Sequence, residues 1–477
     1  MARRTFLHNT GMGFTGLALQ AMLARDGVAA TTGDVGEHLP LHSPRARSVI
    51  WIFLCGGVSH MESFDPKPML TKYHGMMAEE TPFHRLFDPA LVNKNLVGIN
   101  PSHGSRKQLF GLQAGFKKYG QCGLEVSDWF SHIGQCADDL AVVRSLWTVH
   151  NDHGTQLTWH TGRHPREGAF PTIGSWVAYG LGTLNQNLPE FVVLGTPTGD
   201  CCGGEWTHGG GYLGPEYAGV RLGVEDQDPL PYVSARPWGV SPEEQSAEFS
   251  LLGRLNQLAG IDYPDDPQLR ARIKAYELAF GMQMAVPESL EFQQETAETL
   301  NLYGMQDKTT EPFGRLCLTA RRLVERGVRL VQIFHGGGGG GEWDAHGELK
   351  NNHSELSAQV DRPIGGLLRD LKRRGLLDET LVVWGTEFGR SPGAQGTGRD
   401  HHPNAFCAWL AGGGVKGGVT HGATDELGFH PVEHPHYVTD IHATVMHQLG
   451  LDSRRLDLPD RRRLDQDHGE PIRSILS

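Results

Sequence analysis

Short runs of apolar residues, each ended by glycine or polar residues, recur along the chain and predict buried strands. The first is Ser48–Cys55 (SVIWIFLC), which two glycines follow. Runs of this length that are rich in β-branched and aromatic residues are typical of strands covered on both faces of a parallel sheet. The same pattern recurs at Leu140–Leu146, Phe191–Leu194, Val328–Phe334, Thr380–Gly385 and Phe406–Leu410.

Longer segments with helical spacing of apolar residues lie between these runs. Phe313–Arg326 is amphipathic, and Glu348–Arg374 is a longer segment that Gly375 follows. Pro171–Gly180 and Thr439–Leu449 are two further predicted helices. An alternation of strands and helices indicates a right-handed parallel sheet that is covered on both faces. The predicted fold class is therefore α/β, with a doubly wound, mostly parallel sheet sandwiched by helices.

The same pattern predicts how the chain is divided. Residues 1–30 carry Arg3 and Arg4 before a short, weakly apolar stretch, which favours a twin-arginine export signal over a membrane-spanning helix. We therefore expect a periplasmic or extracellular protein. Residues 31–46 are polar and indicate a linker, and residues 47–477 form the predicted α/β domain. Within that domain, residues 199–303 are predicted to be a helical and loop insertion that covers the site.

Composition narrows the function classes. The chain has 477 residues, a net charge of −12 and no long run of basic residues, so nucleic acid is not an expected partner. It also has 25 histidines and 63 glycines, and abundant histidine is compatible with metal binding. None of the seven cysteines lies in a CxxC pair, which argues against a thiolate zinc site. A Cys122–Cys136 disulfide would be compatible with export, and the sequence leaves it open.

Acidic and histidine side chains are concentrated next to the later predicted strands. Two of these groups follow a strand, and the third precedes one. The residues are Asp344, His346, Glu387, Asp400, His401 and His402. Mixed carboxylate and imidazole ligands suit zinc, manganese or iron better than calcium. The sequence therefore predicts a metal site at the carboxyl edge of the sheet.

The first predicted strand is also followed by polar residues, namely His60, Glu62 and Asp65. Ligands of open α/β sheets bind outside the carboxyl ends of the strands, so these side chains are candidates for the same site. The alternative is that they are turn and capping residues.

Several long motifs carry a family resemblance. They are GGVSHMESFDPKP at Gly56–Pro68, LTARRLVERGVRLVQIFHGG at Leu318–Gly337, EWDAHGELKNN, RRGLLDETLVVWGTEFGRSP, GRDHHPNAFCAWLAGGGVKGG and HYVTDIHATVMHQLGL. With Arg3 and Arg4, they resemble the exported bacterial family catalogued as domain of unknown function 1501, in its planctomycete-type form, over nearly the whole chain. That family is similar to the alkaline phosphatase and sulfatase superfamily. The resemblance implies a large doubly wound α/β sandwich and a nucleophilic Ser, Thr or formylglycine.

The resemblance also implies two divalent ions, such as zinc or manganese, held by Asp, Glu and His. Residues that resemble the family's ligands are Asp344, His346, Glu387 and His401, together with Glu62 or Asp65 and, as a further option, His60. The segment HTGRHP at His160–Pro165 resembles the one that follows the sulfatase nucleophile. Counting back reaches Asp152 or His153, and Thr155 is the nearest hydroxyl. Phe388 stands where the family pattern has a histidine ligand, and His153 is its expected substitute.

The expected function is hydrolysis of phosphate or sulfate esters outside the cytoplasm, with a small molecule or a polysaccharide as the substrate. Metal-activated water or Thr155 would attack, and His153 would assist. One alternative is a non-catalytic relative that binds a glycan or a protein partner. Another is a different metal-dependent reaction on the same scaffold, such as the transfer of a phosphate-bearing group. The sequence leaves the oligomeric state open.

Overall fold

The computed structural model describes residues 40–92, 103, 106–224, 285–452 and 469–477, with isolated residues at 247, 250, 251, 254, 278, 281, 282, 454 and 456. The predicted export signal, the first part of the predicted linker and much of the predicted insertion lie outside these residues. Among the helices that are described, none is both long enough and apolar enough to cross a membrane.

Fifteen strands lie within the described residues. They are β1 (Ser48–Leu54), β2 (Phe116–Tyr119), β3 (Leu124–Ser127), β4 (Leu140–Trp147), β5 (Phe191–Leu194), β6 (Val220–Leu222), β7 (Leu330–His335), β8 (Thr380–Gly385), β9 (Gly389–Gln395), β10 (Gly398–His402), β11 (Phe406–Ala411), β12 (Val419–His421), β13 (Ala423–Thr424), β14 (Pro431–Glu433) and β15 (His436–Tyr437). Nine of them form the central sheet in the order β12-β4-β11-β8-β1-β7-β5-β6, with β15 also paired to β4.

Helices lie between and after these strands. The described ones are α1 (Pro68–Lys72), α2 (Pro89–Val92), α3 (Ser131–Gly134), α4 (Thr155–Thr161), α5 (Ile173–Leu181), α6 (Ala297–Leu302), α7 (Glu311–Glu325), α8 (Leu349–Arg373) and α9 (Val438–Gln448).

The central strand β1 has a hydrophobic core on each of its faces. Ile50 and Ile52 point into one core, where Leu318 of α7 and Ile364 of α8 pack. The intervening residues of β1 point into the other core, which α5 and α9 cover. Successive side chains of a strand alternate between its faces, so a strand buried on both sides must be apolar throughout. This arrangement confirms the predicted α/β sheet with helices on both faces.

Strand register brings three chain segments to one edge of the sheet. Leu54 of β1 is level with His335 of β7, and Phe53 is level with Gly385 of β8, and both pairings are parallel. The chain therefore leaves β1, β7 and β8 at the same edge. Most of the predicted metal ligands follow these three strands, whereas His401 precedes β11 and His153 follows β4.

Two features of the sheet were not anticipated. Strand β11 runs antiparallel to both of its neighbours, β8 and β4, whereas the other pairings in the central sheet are parallel. Strand β6 lies inside the predicted insertion, yet it pairs with β5 and extends the sheet.

Cys122 and Cys136 are free thiols, so the structure contains no bridge between them.

Candidate metal centre

The run of six glycines after β7 brings Asp344 to the end of β1. Gly341 has φ +112°, and a Cβ atom there would overlap the backbone of Cys55. Glycine therefore permits a close approach of two backbones that other residues would prevent. Trp343 N donates a hydrogen bond to Cys55 O at 3.0 Å, which fixes the position of the next residue, Asp344.

Asp344 is at the centre of the candidate metal site, where four basic side chains surround its carboxylate. Oδ1 lies 2.7 Å from Arg390 Nη2, 3.0 Å from His401 Nε2 and 3.1 Å from His346 Nε2. Oδ2 lies 3.1 Å from His153 Nε2. Burial acts to raise the pKa of Asp344, but His153 and the charge of Arg390 oppose it, and the pKa is held well below its usual range. The carboxylate is therefore ionised at neutral pH.

His401 presents a lone pair to this carboxylate. Its Nδ1 lies 2.8 Å from Asn151 O, which only accepts hydrogen bonds, so Nδ1 carries the proton. Burial, reinforced by the charge of Arg390, lowers the pKa of His401 to about 3 although Asp344 opposes the shift. The ring is neutral at pH 7, so Nε2 is unprotonated beside the oxygen of Asp344. Two electron-rich atoms 3.0 Å apart suit a cation that both of them bind.

His346 repeats the same arrangement. Its Nδ1 hydrogen-bonds the amide oxygen of Gln395, so Nδ1 carries a proton, and Nε2 faces Asp344 Oδ1. The side chains of His346 and Asp344 are 28% and 25% exposed, which leaves the site open to an ion and a substrate from solvent. Asp344, His346 and His401 therefore fit a divalent metal ion by both donor type and orientation.

His153 lies between two carboxylates. Its Nδ1 is 3.0 Å from Glu387 Oε1, while Nε2 approaches Asp344 without a well-aligned hydrogen bond. Burial acts to lower the pKa of His153, but the two carboxylates outweigh it and raise the pKa to about 9. Glu387 itself is held by Gly56 N at 2.9 Å and Thr386 Oγ1 at 3.0 Å. Glu387 contacts the cluster through His153.

Two sets of three potential ligands overlap at His401. The ligand atoms of His153, Asp344 and His401 lie within 4.8 Å of one another, and the same holds for His103, His346 and His401. His103 Nδ1 also lies 2.8 Å from Asp400 Oδ1. Asp400 is thus a partner of the histidines at the edge of the cluster.

The hairpin of β9 and β10 explains why adjacent residues differ in role. The pairing is irregular between Arg399 and His401, which is where a β-bulge reorients side chains. Neighbouring residues of a strand point to opposite faces, and His402 Nε2 bonds Phe429 O at 2.6 Å, away from the cluster. His402 therefore supports the hairpin, while His401 joins the site.

The three candidates after β1 have partners outside the cluster. Glu62 forms a fully buried ion pair with Arg399, at 2.7 Å. Asp65 pairs with Lys67 at 3.0 Å, and His60 Nε2 bonds Gly428 O at 2.8 Å. Position after a strand placed these residues near the correct edge but did not determine where their side chains point. The structure does not bring them to Asp344.

Thr155 does not face the cluster either. It is the first residue of α4 and is fully buried, and its hydroxyl donates a hydrogen bond to His150 O at 2.9 Å. The structure therefore brings together five of the predicted site residues: His153, Asp344, His346, Glu387 and His401.

Arg390 and His103 were not among the predicted site residues. Arg390 lies in the motif TEFGR with Glu387, and a cation beside so many acidic groups was a signal available in the sequence. It is fully buried and also donates to the carbonyls of Gly57 and Arg399. His103 lies in NPSHGSR, which has no strand or helix pattern, so no signal marked it.

Comparison with known proteins gives one sequence match and several distant structural ones. Residues 46–476 match the family described as "Protein of unknown function (DUF1501)". No curated protein matches significantly. The structure is similar to lipoteichoic acid synthase LtaP from Listeria monocytogenes, with 8% identity, coverage of 88% of this chain and 76% of that chain, and a TM-score of 0.39.

Two hydrolases show similarity of the same order. Phosphonate monoester hydrolase SpPMH from Silicibacter pomeroyi has 12% identity, coverage of 73% and 71%, and a TM-score of 0.34. The PsFucS1 sulfatase from Pseudoalteromonas sp. has 13% identity, coverage of 68% and 62%, and a TM-score of 0.31. Similarity this distant does not define a reaction.

Proposed function

The chain belongs to the DUF1501 family, and we propose that this member is a metal-dependent hydrolase of phosphate or sulfate esters. The observation that carries the proposal is the orientation of His401 and His346. Each ring uses Nδ1 for a hydrogen bond to an oxygen and directs Nε2 at the ionised carboxylate of Asp344, and in the neutral ring of His401 this atom carries a lone pair. A divalent cation resolves this otherwise unfavourable contact.

In this proposal Asp344, His346 and His401 hold the ion. An ion in that position supplies Lewis-acid polarisation of an ester oxygen and lowers the pKa of water. His153 carries a proton at neutral pH because its pKa is raised to about 9, so it is placed to protonate a leaving oxygen. Glu387 orients His153 through Nδ1 and is not a direct ligand.

We assign the attack to water, because the Thr155 hydroxyl is buried and already donates to His150 O. The exposed side of Asp344 and His346 is where a small-molecule or polysaccharide ester would enter. The predicted export signal places such a substrate outside the cytoplasm.

Replacement of His401 by alanine tests the site directly. The variant should lose bound metal and any hydrolysis, because one of three ligands and the lone pair facing Asp344 are removed. Metal content would be measured by elemental analysis of protein purified without chelators. Activity would be measured on a panel of phosphate monoesters, phosphate diesters, phosphonate esters and sulfate esters. His84→Ala is the matched control, since His84 is exposed and far from these contacts in sequence.

Two results would contradict the proposal. Unchanged metal content in the His401→Ala variant would remove His401 from the ligand set. Stoichiometric metal in the natural protein without hydrolysis of any ester would favour the alternative, a non-catalytic protein that binds a glycan or a protein partner. The engagement of the Thr155 hydroxyl is the observation that supports this alternative.

A further inference from the structure

A second group of histidines lies at the β12 side of the central sheet, on elements that do not contribute to the Asp344 cluster. His421 is the last residue of β12, and His436 is the first residue of β15. Both strands pair in parallel with β4, where His421 is level with Val143 and His436 with Leu146. The sheet itself therefore sets the spacing of the two histidines.

The two rings meet through the same kind of atom. His421 Nε2 lies 2.8 Å from His436 Nε2. The other nitrogen of each ring has an oxygen partner, because His436 Nδ1 lies 2.6 Å from Asp440 Oδ2 and His421 Nδ1 lies 2.9 Å from Ser474 Oγ. A carboxylate only accepts hydrogen bonds, so Nδ1 of His436 carries a proton.

The two Nε2 atoms therefore lie within hydrogen-bonding distance of each other. Because Ser474 Oγ can donate to or accept from His421 Nδ1, either an N–H···N hydrogen bond from His421 or a metal ion can join the two nitrogens. A histidine whose second nitrogen donates to a carboxylate is the usual arrangement of a metal ligand, because the carboxylate fixes the tautomer and raises the basicity of the ring. Zn–N distances of about 2.0–2.1 Å imply that bound rings have nitrogens roughly 3.3 Å apart, so a small opening of the present contact would admit the ion.

A third imidazole is adjacent. The ring of His434 stacks on that of His421, with centroids 5.0 Å apart and planes at 20°. His434 is exposed, while His421 and His436 are partly buried, so an ion can enter from solvent. The carbonyl of His434 accepts a hydrogen bond from Ser145 Oγ at 2.6 Å, which holds its backbone beside β4.

We propose that His421 and His436 bind a divalent transition-metal ion of the zinc class, with His434 as a third ligand after rotation of its side chain. Imidazole nitrogens favour zinc, copper and nickel over magnesium or calcium. The ion closes the segment from His421 to His436 at its base. That segment contacts the hairpin of the Asp344 cluster, since Phe429 O bonds His402 at the end of β10. The site is therefore a structural clamp, independent of the proposed hydrolysis.

The test is a zinc titration of the full chain by calorimetry, after chelator treatment and dialysis. It uses a His401→Ala background, so that the Asp344 cluster does not contribute. Replacement of His421 or His436 by alanine should abolish one equivalent of bound zinc. His447→Ala is the control, because His447 is a partly exposed histidine of α9 that lies outside the group. His434→Ala should weaken binding by roughly tenfold or more, as expected for the loss of one ligand.

A more conservative variant controls for misfolding of the alanine variants. Asp440→Asn keeps the side-chain shape and should lower zinc affinity by roughly 10–100-fold, because the oxygen that fixes His436 loses its charge. Zinc should also raise the melting temperature of the His401→Ala background, and His421→Ala should remove that shift. Zinc uptake that is equal with and without His421 and His436 would overturn the proposal. Absence of uptake by the His401→Ala background would overturn it as well, since a hydrogen bond between the two rings would then account for the contact.

Discussion

At the scale of single residues, the same chemical type serves different purposes according to its partner. Asp344 and Glu62 are both acidic residues near the end of a strand. Asp344 is partly exposed and faces imidazole lone pairs, whereas Glu62 is fully buried against the guanidinium of Arg399. A buried carboxylate that is already neutralised by a guanidinium has little to offer a metal ion. Glu62 is therefore best understood as part of the scaffold.

Replacement of Arg399 by methionine tests this distinction. The change leaves Glu62 as an uncompensated buried charge and should lower the free energy of unfolding by about 3–5 kcal/mol. Urea denaturation measures the loss. The folded variant should keep the metal content of the natural protein, because Glu62 is not a ligand. Arg47→Met is the matched control, since the Arg47–Glu379 pair is 57% and 59% exposed and should contribute less than about 1 kcal/mol. Loss of metal from folded Arg399→Met protein would contradict the structural role of Glu62.

At the scale of elements, glycine-rich turns determine how closely the strand ends approach. The backbone after β7 packs against the end of β1, and Gly341 lies where any side chain would overlap Cys55. Gly337, Gly340 and Gly341 are thus packing requirements of this turn, since an added Cβ would overlap Thr196, His153 or Cys55 respectively.

Gly341→Ala should be strongly destabilising, because the new Cβ must displace backbone and because L residues are disfavoured at φ +112°. We expect a loss of about 3 kcal/mol or more in urea denaturation, together with a loss of bound metal as Asp344 moves. Gly375→Ala is the control. Gly375 also has a positive φ, +69°, but nothing lies within 4 Å of its added Cβ, so only the conformational cost of about 1–2 kcal/mol applies. Equal losses in the two variants would show that the contact with β1 is unimportant.

At the scale of the whole molecule, buried neutral histidines make stability sensitive to acid. Burial lowers the pKa of both His335 and His442 to about 4, partly offset by their hydrogen bonds to Gln359 and to Trp159 O. The ordinary value is 6.5, so the unfolded chain binds protons that the folded chain does not. Their contribution to stability is present above pH 6.5 and is lost as the pH falls towards 4.

Each of these histidines should remove about 2 kcal/mol from the free energy of unfolding between pH 7 and pH 5. Urea denaturation at several pH values measures the slope. His442→Gln keeps a donor for Trp159 O but does not titrate, so this variant should lose about 2 kcal/mol less than the natural protein over the same interval. Identical slopes for the two proteins would contradict the assignment.

The sheet was predictable from the sequence because its strands are buried on both faces. A continuous apolar run of the length of Ser48–Leu54 is typical of a strand buried on both faces. The polar residues that follow such parallel strands lie at one edge of the sheet. The direction of each strand was harder to predict from the sequence. The apolar run at Phe406–Ala411 looks the same in either orientation, so its antiparallel pairing became clear only in three dimensions.

The site was predictable in part for the same reason. Asp344, Glu387 and His401 follow from the strand ends, because the sheet fixes where the backbone emerges. Side-chain direction does not follow, which is why Glu62 was placed in the site although Arg399 binds it. His103 comes from a stretch without periodic pattern, and only the folded chain brings it beside His401.

The antiparallel strand has a consequence for exchange of the site between related proteins. Because β8 and β11 are adjacent and opposite in direction, residues 386–405 leave the sheet and return to it at the same edge. They carry Glu387, Arg390 and His401. Replacing this segment by the homologous segment of a related protein would therefore change the side chains at this edge of the sheet. The order of the strands would stay the same.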